Sequence, residues 1–416
     1  MMRILLPALL SITILSACSE KKQIELSSGK WRATLSIQGN EVPFNMEIVK
    51  DSSNNYDAYI LNARERLLLD EVNISGDSVI IPLHIFDATL RAKVDDGKMR
   101  GVFVKHYDKD YRLPFYAEHG ITYRFKSSPM AKSETDFSGK YKVSFLEERD
   151  TVEAIGIFSQ EGSTVTGSFL TPTGDYRFLE GISVGDSLHL STFDGNYVYL
   201  FKARGNGESI EGRFISGKTK NIAWTAIKDD NASLDGADSQ TFLKEGYERI
   251  EFAFPDVNGD TVRLDDEKYK NKVVVLQLFG TWCPNCMDEI KFLAPWYDQN
   301  KDRGVEIIGL AYERKADFTY ASGRVKRMIE KLKVNYDCAI AGSNDKAQAS
   351  ETLPMINKVA VYPTTIFIGR DGKVKKIHTG YSGPGTGIYY EQGVEQFNET
   401  INALLNEGKG ASTAKI

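Results

Sequence analysis

Cysteine is scarce in this chain, 4 of 416 residues, and there are only 12 prolines and 5 histidines. So few thiols exclude a disulfide-stapled scaffold, and so little proline beside 41% hydrophobic residues excludes a disordered or fibrous chain. An excess of charge of one sign is missing as well. Lys+Arg number 52 against Asp+Glu 57, a formal net charge of −5, so there is no basic footprint for nucleic acid. At roughly 100–200 residues per domain, the length calls for two to four separately cored units.

Long hydrophobic runs are absent too. The longest, from Ile4 to Leu15 and broken by Pro7, Ser11 and Thr13, is too short to span a bilayer. It follows Arg3 and has the pattern of the apolar part of a secretory signal. The next residues, Leu15-Ser16-Ala17-Cys18, resemble the lipobox of bacterial lipoproteins. That resemblance implies removal of residues 1–17 and a lipid on the Cys18 thiol, which would tie the chain to a membrane. A chance Cys behind an ordinary signal is the other reading, and in both the mature chain leaves the cytoplasm. Residues 18–27 are expected to be a polar tether.

What the chain does have, over 28–230, is short alternating stretches punctuated by Gly, Asn and Asp, the pattern of antiparallel β structure. Three motifs recur in order. Ser28-Gly29-Lys30-Trp31 returns as Ser138-Gly139-Lys140-Tyr141, Gly76-Asp77-Ser78-Val79 as Gly185-Asp186-Ser187-Leu188, and Gly101-Val102-Phe103 as Gly212-Arg213-Phe214. A duplicated unit is therefore expected: two tandem all-β domains, 28–128 and 136–230, each a small antiparallel sandwich or barrel. Four of the five histidines, His84, His106, His119 and His189, fall here without paired ligand spacing and read as structural. No catalytic role is expected of these domains.

From 241 to 416 the texture changes to strands separated by amphipathic helices, an α/β domain with a mixed sheet. Val273-Val274-Val275-Leu276-Gln277-Leu278-Phe279 reads as a strand buried on both faces. A second strand is expected from Val305 to Ala311. Helices are expected from Cys283, near Arg324 to Lys333, and from Asp345 to Asn357. A hairpin follows around Asp371-Gly372, then a last helix with Val394, Phe397, Ile401 and Leu404 on one face.

The strand runs through Gly280-Thr281-Trp282 into Cys283-Pro284-Asn285-Cys286, which puts two thiols at a strand-to-helix junction. A helix N-terminus stabilises a thiolate, so Cys283 is the expected nucleophile and Cys286, one turn on, the resolving thiol. Zinc would need a second pair of ligands, but only Cys18 and the solitary Cys338 remain, so neither metal nor cofactor is expected. Haem attachment would need His where Met287 stands. A purely structural disulfide stays open. Cys338, on a probable core strand, reads as a buried inert thiol.

These residues, with Tyr362-Pro363-Thr364-Thr365-Ile366-Phe367-Ile368 further on, resemble the thioredoxin-fold TlpA/ResA-like thiol-disulfide oxidoreductases over roughly 252–405. The resemblance implies a Cys283–Cys286 disulfide that cycles with the dithiol. It implies a cis Pro363 facing that pair, with Tyr362 and Pro363 offering backbone groups to an extended substrate, and Trp282 shielding the disulfide and presenting a flat docking face. It also implies a βα insertion between the motifs, and a role for Glu289 beside the cysteines in tuning a thiol or shuttling a proton. Gln277, where thioredoxins carry an ionisable Asp, cannot do that work. Beyond the cysteine pair the first helical proline is Pro295, further from the second Cys than in many relatives.

The expected function is thus an envelope-anchored, periplasm-facing enzyme that reduces protein disulfides, an apocytochrome or another oxidised envelope protein among them. Electrons would come from a membrane thiol carrier. The alternative is that the β domains are a binding module and the last domain a redox-responsive or structural accessory. The glycine-rich Ser382–Gly387 stretch lacks the Lys-Ser/Thr of a phosphate loop and reads as a turn before the last helix, which a short disordered tail follows.

Overall fold

The computed structural model describes residues 24–126, 134–234 and 240–407. The signal segment, Cys18, most of the tether, the connection 127–133 and the C-terminal tail lie outside the described residues.

Alternation of apolar and polar residues sets the N-terminal half. Trp31, Ala33, Leu35 and Ile37 all point inward along the first strand, Gly29–Ile37. Nine antiparallel strands, ending with Arg112–His119, form one sheet in which first and last strands pair, Ala33 opposite Ala117. A second nine-stranded antiparallel sheet runs from Gly139–Leu146 to Lys220–Lys228. Here Thr151–Glu161 also pairs with Thr164–Thr171, which closes the sheet into a barrel. The recurring motifs occupy matching places. Trp31 and Tyr141 are fully buried in the first strand of each sheet, and Gly101 and Gly212 sit in the eighth. At both glycines a Cβ would strike the neighbouring strand's backbone oxygen, 1.8 Å from Arg91 and 2.4 Å from Lys202.

The two sheets pack on each other. The Phe193 ring of the barrel packs tilted against Phe44, centroids 4.8 Å apart, and edge-on against Phe103 at 5.2 Å, and Ser191 Oγ donates to the carbonyl of Pro43 at 2.6 Å. Arg124 crosses the same boundary, buried, donating to the carbonyls of Ser191 at 3.0 Å and Leu61 at 2.5 Å.

The last unit is an α/β domain whose sheet strands we number separately. They are β1 (Val273–Phe279), β2 (Val305–Glu313), β3 (Asp337–Ser343), β4 (Thr364–Ile368) and β5 (Val374–Thr379). Their order is β3-β2-β1-β4-β5, with β1, β2 and β3 parallel and β4 and β5 antiparallel to their neighbours. All seven residues of β1 are buried, as the unbroken apolar run predicts. The helices are α1 (Pro284–Asn300), α2 (Phe318–Leu332), α3 (Lys346–Thr352) and α4 (Ile388–Asn406). Two differ from expectation. α2 begins six residues before Arg324, because Asp317 caps it by accepting from Tyr320 N at 2.7 Å. α3 ends at Thr352 rather than Asn357, because Pro354 disfavours helix at Leu353. Among the described residues no helix is long and apolar enough to cross a membrane.

Candidate active site

β1 delivers the chain to the dithiol. Gly280 follows it without a side chain because a Cβ there would lie 2.2 Å from Trp282 Nε1 and 2.7 Å from Tyr312 O. Trp282 Nε1 donates to that same Tyr312 carbonyl at 2.9 Å. Thr281 is held by Glu313, at the end of β2, which accepts from Thr281 N at 2.7 Å and from its hydroxyl at 2.8 Å. Glu313 is fully buried, and burial pushes its carboxyl above the usual range. The expected strand stopped at Ala311, so this carboxylate was missed.

Cys283 is the N-cap of α1, extended at φ −101°, ψ 109°, and Pro284 supplies a pre-set first helical residue. Cys283 and Cys286 are joined as a disulfide, Cα atoms 5.2 Å apart, and Cys286 N donates to Cys283 Sγ at 3.2 Å. A thiolate formed at Cys283 on reduction therefore meets a helix amide and the positive end of the helix dipole. The Tyr362–Pro363 peptide is cis, and the Tyr362 carbonyl oxygen lies 3.6 Å from Cys283 Sγ. The Tyr362 ring packs edge-on against Trp282, centroids 5.6 Å apart. The face of Trp282 is not open: the Arg314 guanidinium covers it at 4.3 Å. Cys338 is buried and unpaired, and burial raises its thiol pKa, an inert arrangement.

Glu289 lies one turn after Cys286 and is only 4% exposed, not on a solvated helix face. Register explains its surroundings. Gln277 on β1 sits opposite Thr365 on β4, and both side chains donate to Glu289, Gln277 Nε2 at 2.5 Å and Thr365 Oγ1 at 2.6 Å. Gln277 thus holds the carboxylate instead of titrating. Burial raises the Glu289 pKa against these two hydrogen bonds, which lower it. A cavity of about 220 Å³, lined also by His378 and Tyr381, opens beside Glu289 and Thr365.

Sequence reasoning missed the part of this site supplied by the β domains. Asn196 of the barrel donates through Nδ2 to the Trp282 carbonyl at 2.7 Å. Arg177, 3% exposed, donates through Nη1 to the Pro284 carbonyl at 3.2 Å and to Asp288, and through Nη2 to Glu65 of the first sheet at 2.5 Å. Asp194 sits 3.5 Å from its Nε. Burial works against the charge of Arg177, but the attraction of Asp288, Glu65, Asp194 and Asp175 outweighs it and holds the guanidinium charged. No local motif marks these residues, since Arg177 and Pro284 are 107 positions apart.

Asp175 adds a pH dependence. It accepts from Gly383 N and Arg177 N, both at 2.5 Å, yet burial raises its pKa from 3.8 to about 6. A carboxyl raised in the folded state gives stability that is complete below its unfolded value and lost as pH rises through about 6, on the order of 2–3 kcal/mol. Asp175→Asn is therefore expected to flatten the fall of the melting temperature between about pH 4 and 7, measured by calorimetry on both proteins.

A disulfide at the N-cap of the helix after the central strand of a mixed sheet, facing a cis-prolyl turn, defines a thioredoxin-fold thiol-disulfide oxidoreductase. Sequence comparison with known proteins agrees. Residues 246–377 match the AhpC/TSA family model. Thiol-disulfide oxidoreductase ResA of Bacillus thuringiensis (strain Al Hakam) is 33% identical over 132 residues, 32% of this chain and 68% of that protein. ResA of Halalkalibacterium halodurans is 28% identical over 162 residues, 39% of this chain and 80% of that one. A putative thiol:disulfide interchange protein DsbE from Chlorobium tepidum aligns in structure over 39% of this chain and 99% of its own, at 21% identity and a TM-score of 0.31. The chain belongs to the ResA family of thiol-disulfide oxidoreductases.

Proposed function

We propose that this enzyme reduces disulfides of proteins outside the cytoplasm, held at a membrane by a lipid on Cys18 and recharged by a membrane thiol carrier. The observation that carries the reading is the placement of the Cys283–Cys286 disulfide at the N-cap of α1, 3.6 Å from the Tyr362 carbonyl of the cis-prolyl turn. An extended chain lying along that turn brings its own disulfide to the same sulfur.

In the reduced enzyme, the Cys283 thiolate attacks one sulfur of the substrate, forming a mixed disulfide and releasing the other sulfur as a thiolate. Cys286, deprotonated, then attacks Cys283 Sγ, restores the disulfide seen here and expels the second substrate thiolate. Two electrons pass to the substrate, and two protons are taken up by its thiols. An external dithiol returns the enzyme to its reduced form by the reverse exchange. Glu289, with its raised pKa and its place one turn from Cys286, receives the proton of Cys286 and passes it through the adjoining cavity. Tyr362 and Pro363 hold the substrate backbone, and Trp282 walls the disulfide.

Insulin reduction with a dithiol donor tests the reading: turnover is expected, and reduction of small disulfides without any action on insulin would overturn the protein-substrate assignment. Glu289→Gln keeps the size and the acceptor for Gln277 and Thr365 but cannot take a proton. It is expected to slow turnover on the order of 10²-fold and to remove one limb of the pH–rate profile, measured by stopped-flow tryptophan fluorescence. The anchor is tested separately, because Cys18→Ala is expected to move the protein from the membrane to the soluble fraction.

A further inference from the structure

An exchange enzyme has to expose its attacking sulfur, yet Cys283 is 5% exposed and Cys286 is fully buried. Part of that burial is local, from Trp282 and Tyr362, but the loop that carries the pair is also occupied from outside its own domain. Asn196 takes the Trp282 carbonyl, and Arg177 takes the Pro284 carbonyl and Asp288. Asn285, between the two cysteines, donates to the Asp175 carbonyl at 3.2 Å. Gly174 permits this approach: a Cβ there would lie 2.6 Å from Asn285 Nδ2. Turns of the barrel thus sit against the loop and the first helical turn that carry the two cysteines.

A second set of contacts holds the first sheet against α2. Arg327 pairs with Glu71 at 3.0 Å and donates to the His84 carbonyl at 2.6 Å, and Lys331 bridges Asp70 at 2.6 Å and Glu71 at 2.8 Å. Arg324 donates to the Ile85 carbonyl, and the Tyr320 hydroxyl to Asp87 at 3.0 Å. Both sets are polar and charged, the kind of interdomain contact that can part and re-form, and they border an apolar core that runs from the β domains into the last domain.

We propose that the two β domains form a cover carried on the enzyme's own substrate face, so that Cys283 and Cys286 exchange with a partner protein only after the contacts of Arg177, Asn196 and the α2 cations part. The proposal rests on protein disulfides as substrates. The closed chain is a protected state of the dithiol, and a substrate protein competes with the barrel turns for one surface. Small thiols, which need less room, are held back less than proteins.

The test uses the full chain, reduced, with Arg327→Gln/Lys331→Gln as the first variant; both side chains are partly exposed and neither touches the cysteines in the contacts above. Modification of Cys283 is timed by peptide mapping with iodoacetamide and with a maleimide carrying a long poly(ethylene glycol) chain. In the unaltered protein the polymer reagent is expected to lag well behind the small one, each corrected for its rate on a free cysteine peptide. The double variant, lacking two partly exposed cations, is expected to narrow that gap roughly three- to tenfold. Gly174→Ala, a wedge at the opposite end of the cover, should act in the same direction. Equal corrected rates for both reagents in the unaltered protein, or a gap unchanged in both variants, would overturn the cover. Insulin reduction by the same proteins separates the two ideas. Equal insulin rates for parent and opened variants also count against the cover. No insulin reduction by any of them, with the modification gap narrowed as expected, leaves the cover standing and sinks the substrate assignment.

Discussion

Cys283→Ser is expected to abolish disulfide exchange, by at least about 10³-fold, while Cys286→Ser accumulates a mixed disulfide with the substrate. The asymmetry follows from the helix. Cys283 caps α1, where its sulfur accepts the Cys286 amide and lies beside the Tyr362 carbonyl, whereas Cys286 is inside the first turn with no exposed surface. A serine at 283 would not be ionised by a helix N-terminus near neutral pH, so the first attack has no nucleophile. A serine at 286 leaves the first attack intact and removes the group that breaks the intermediate. Non-reducing electrophoresis and mass spectrometry check both. Full exchange by the Cys283 variant, or trapping by it instead of by the Cys286 variant, would reverse the roles assigned to the two sulfurs.

Arg177→Met is expected to cost about 3–5 kcal/mol of stability, because it leaves buried carboxylates without their cation. Glu65, Asp194 and Asp288 come from three different domains and converge on this guanidinium, and Asp288 also pairs with Lys291 at 3.2 Å. The same bonds between exposed residues would matter little. At 3% exposure the guanidinium is out of reach of screening, so high salt should not reproduce the effect of the substitution. Urea unfolding followed by tryptophan fluorescence reads the loss as a lower midpoint. Arg177→Met/Asp288→Leu should recover part of it, since taking away both members of a buried pair costs less than stranding one. A single variant as stable as the parent would show that the carboxylates find water or protons instead.

Where sequence reasoning reached the site, the information was local. The dithiol and the prolyl turn are short motifs whose geometry is set within a few residues, by a helix N-terminus and by one X–Pro bond. β1 could be read from seven apolar residues in a row, because a strand covered on both faces needs no polar side. The ends of α2 and α3 were less legible, since a single cap at Asp317 and a single proline at Pro354 shift them by several residues. Gln277 stood out in the sequence only as something that cannot ionise. Its work, holding Glu289 together with Thr365, depends on a cross-strand register that no local pattern states.

The chemistry available to this protein is written along the chain: two thiols at a helix start, a carboxylate one turn on, a proline to face them, and a duplicated pattern of alternating strands. These depend on neighbours along the chain. It takes the packed fold to make Glu313 anchor the loop before the cysteines, and to bring Arg177, Asp175 and Asn196 of the barrel over it. Those contacts join residues 32 to 110 positions apart, and their character is set by burial, which raises the pKa of Asp175, and by the carboxylates that keep Arg177 charged against it. Burial belongs to the packed whole and not to any stretch of chain.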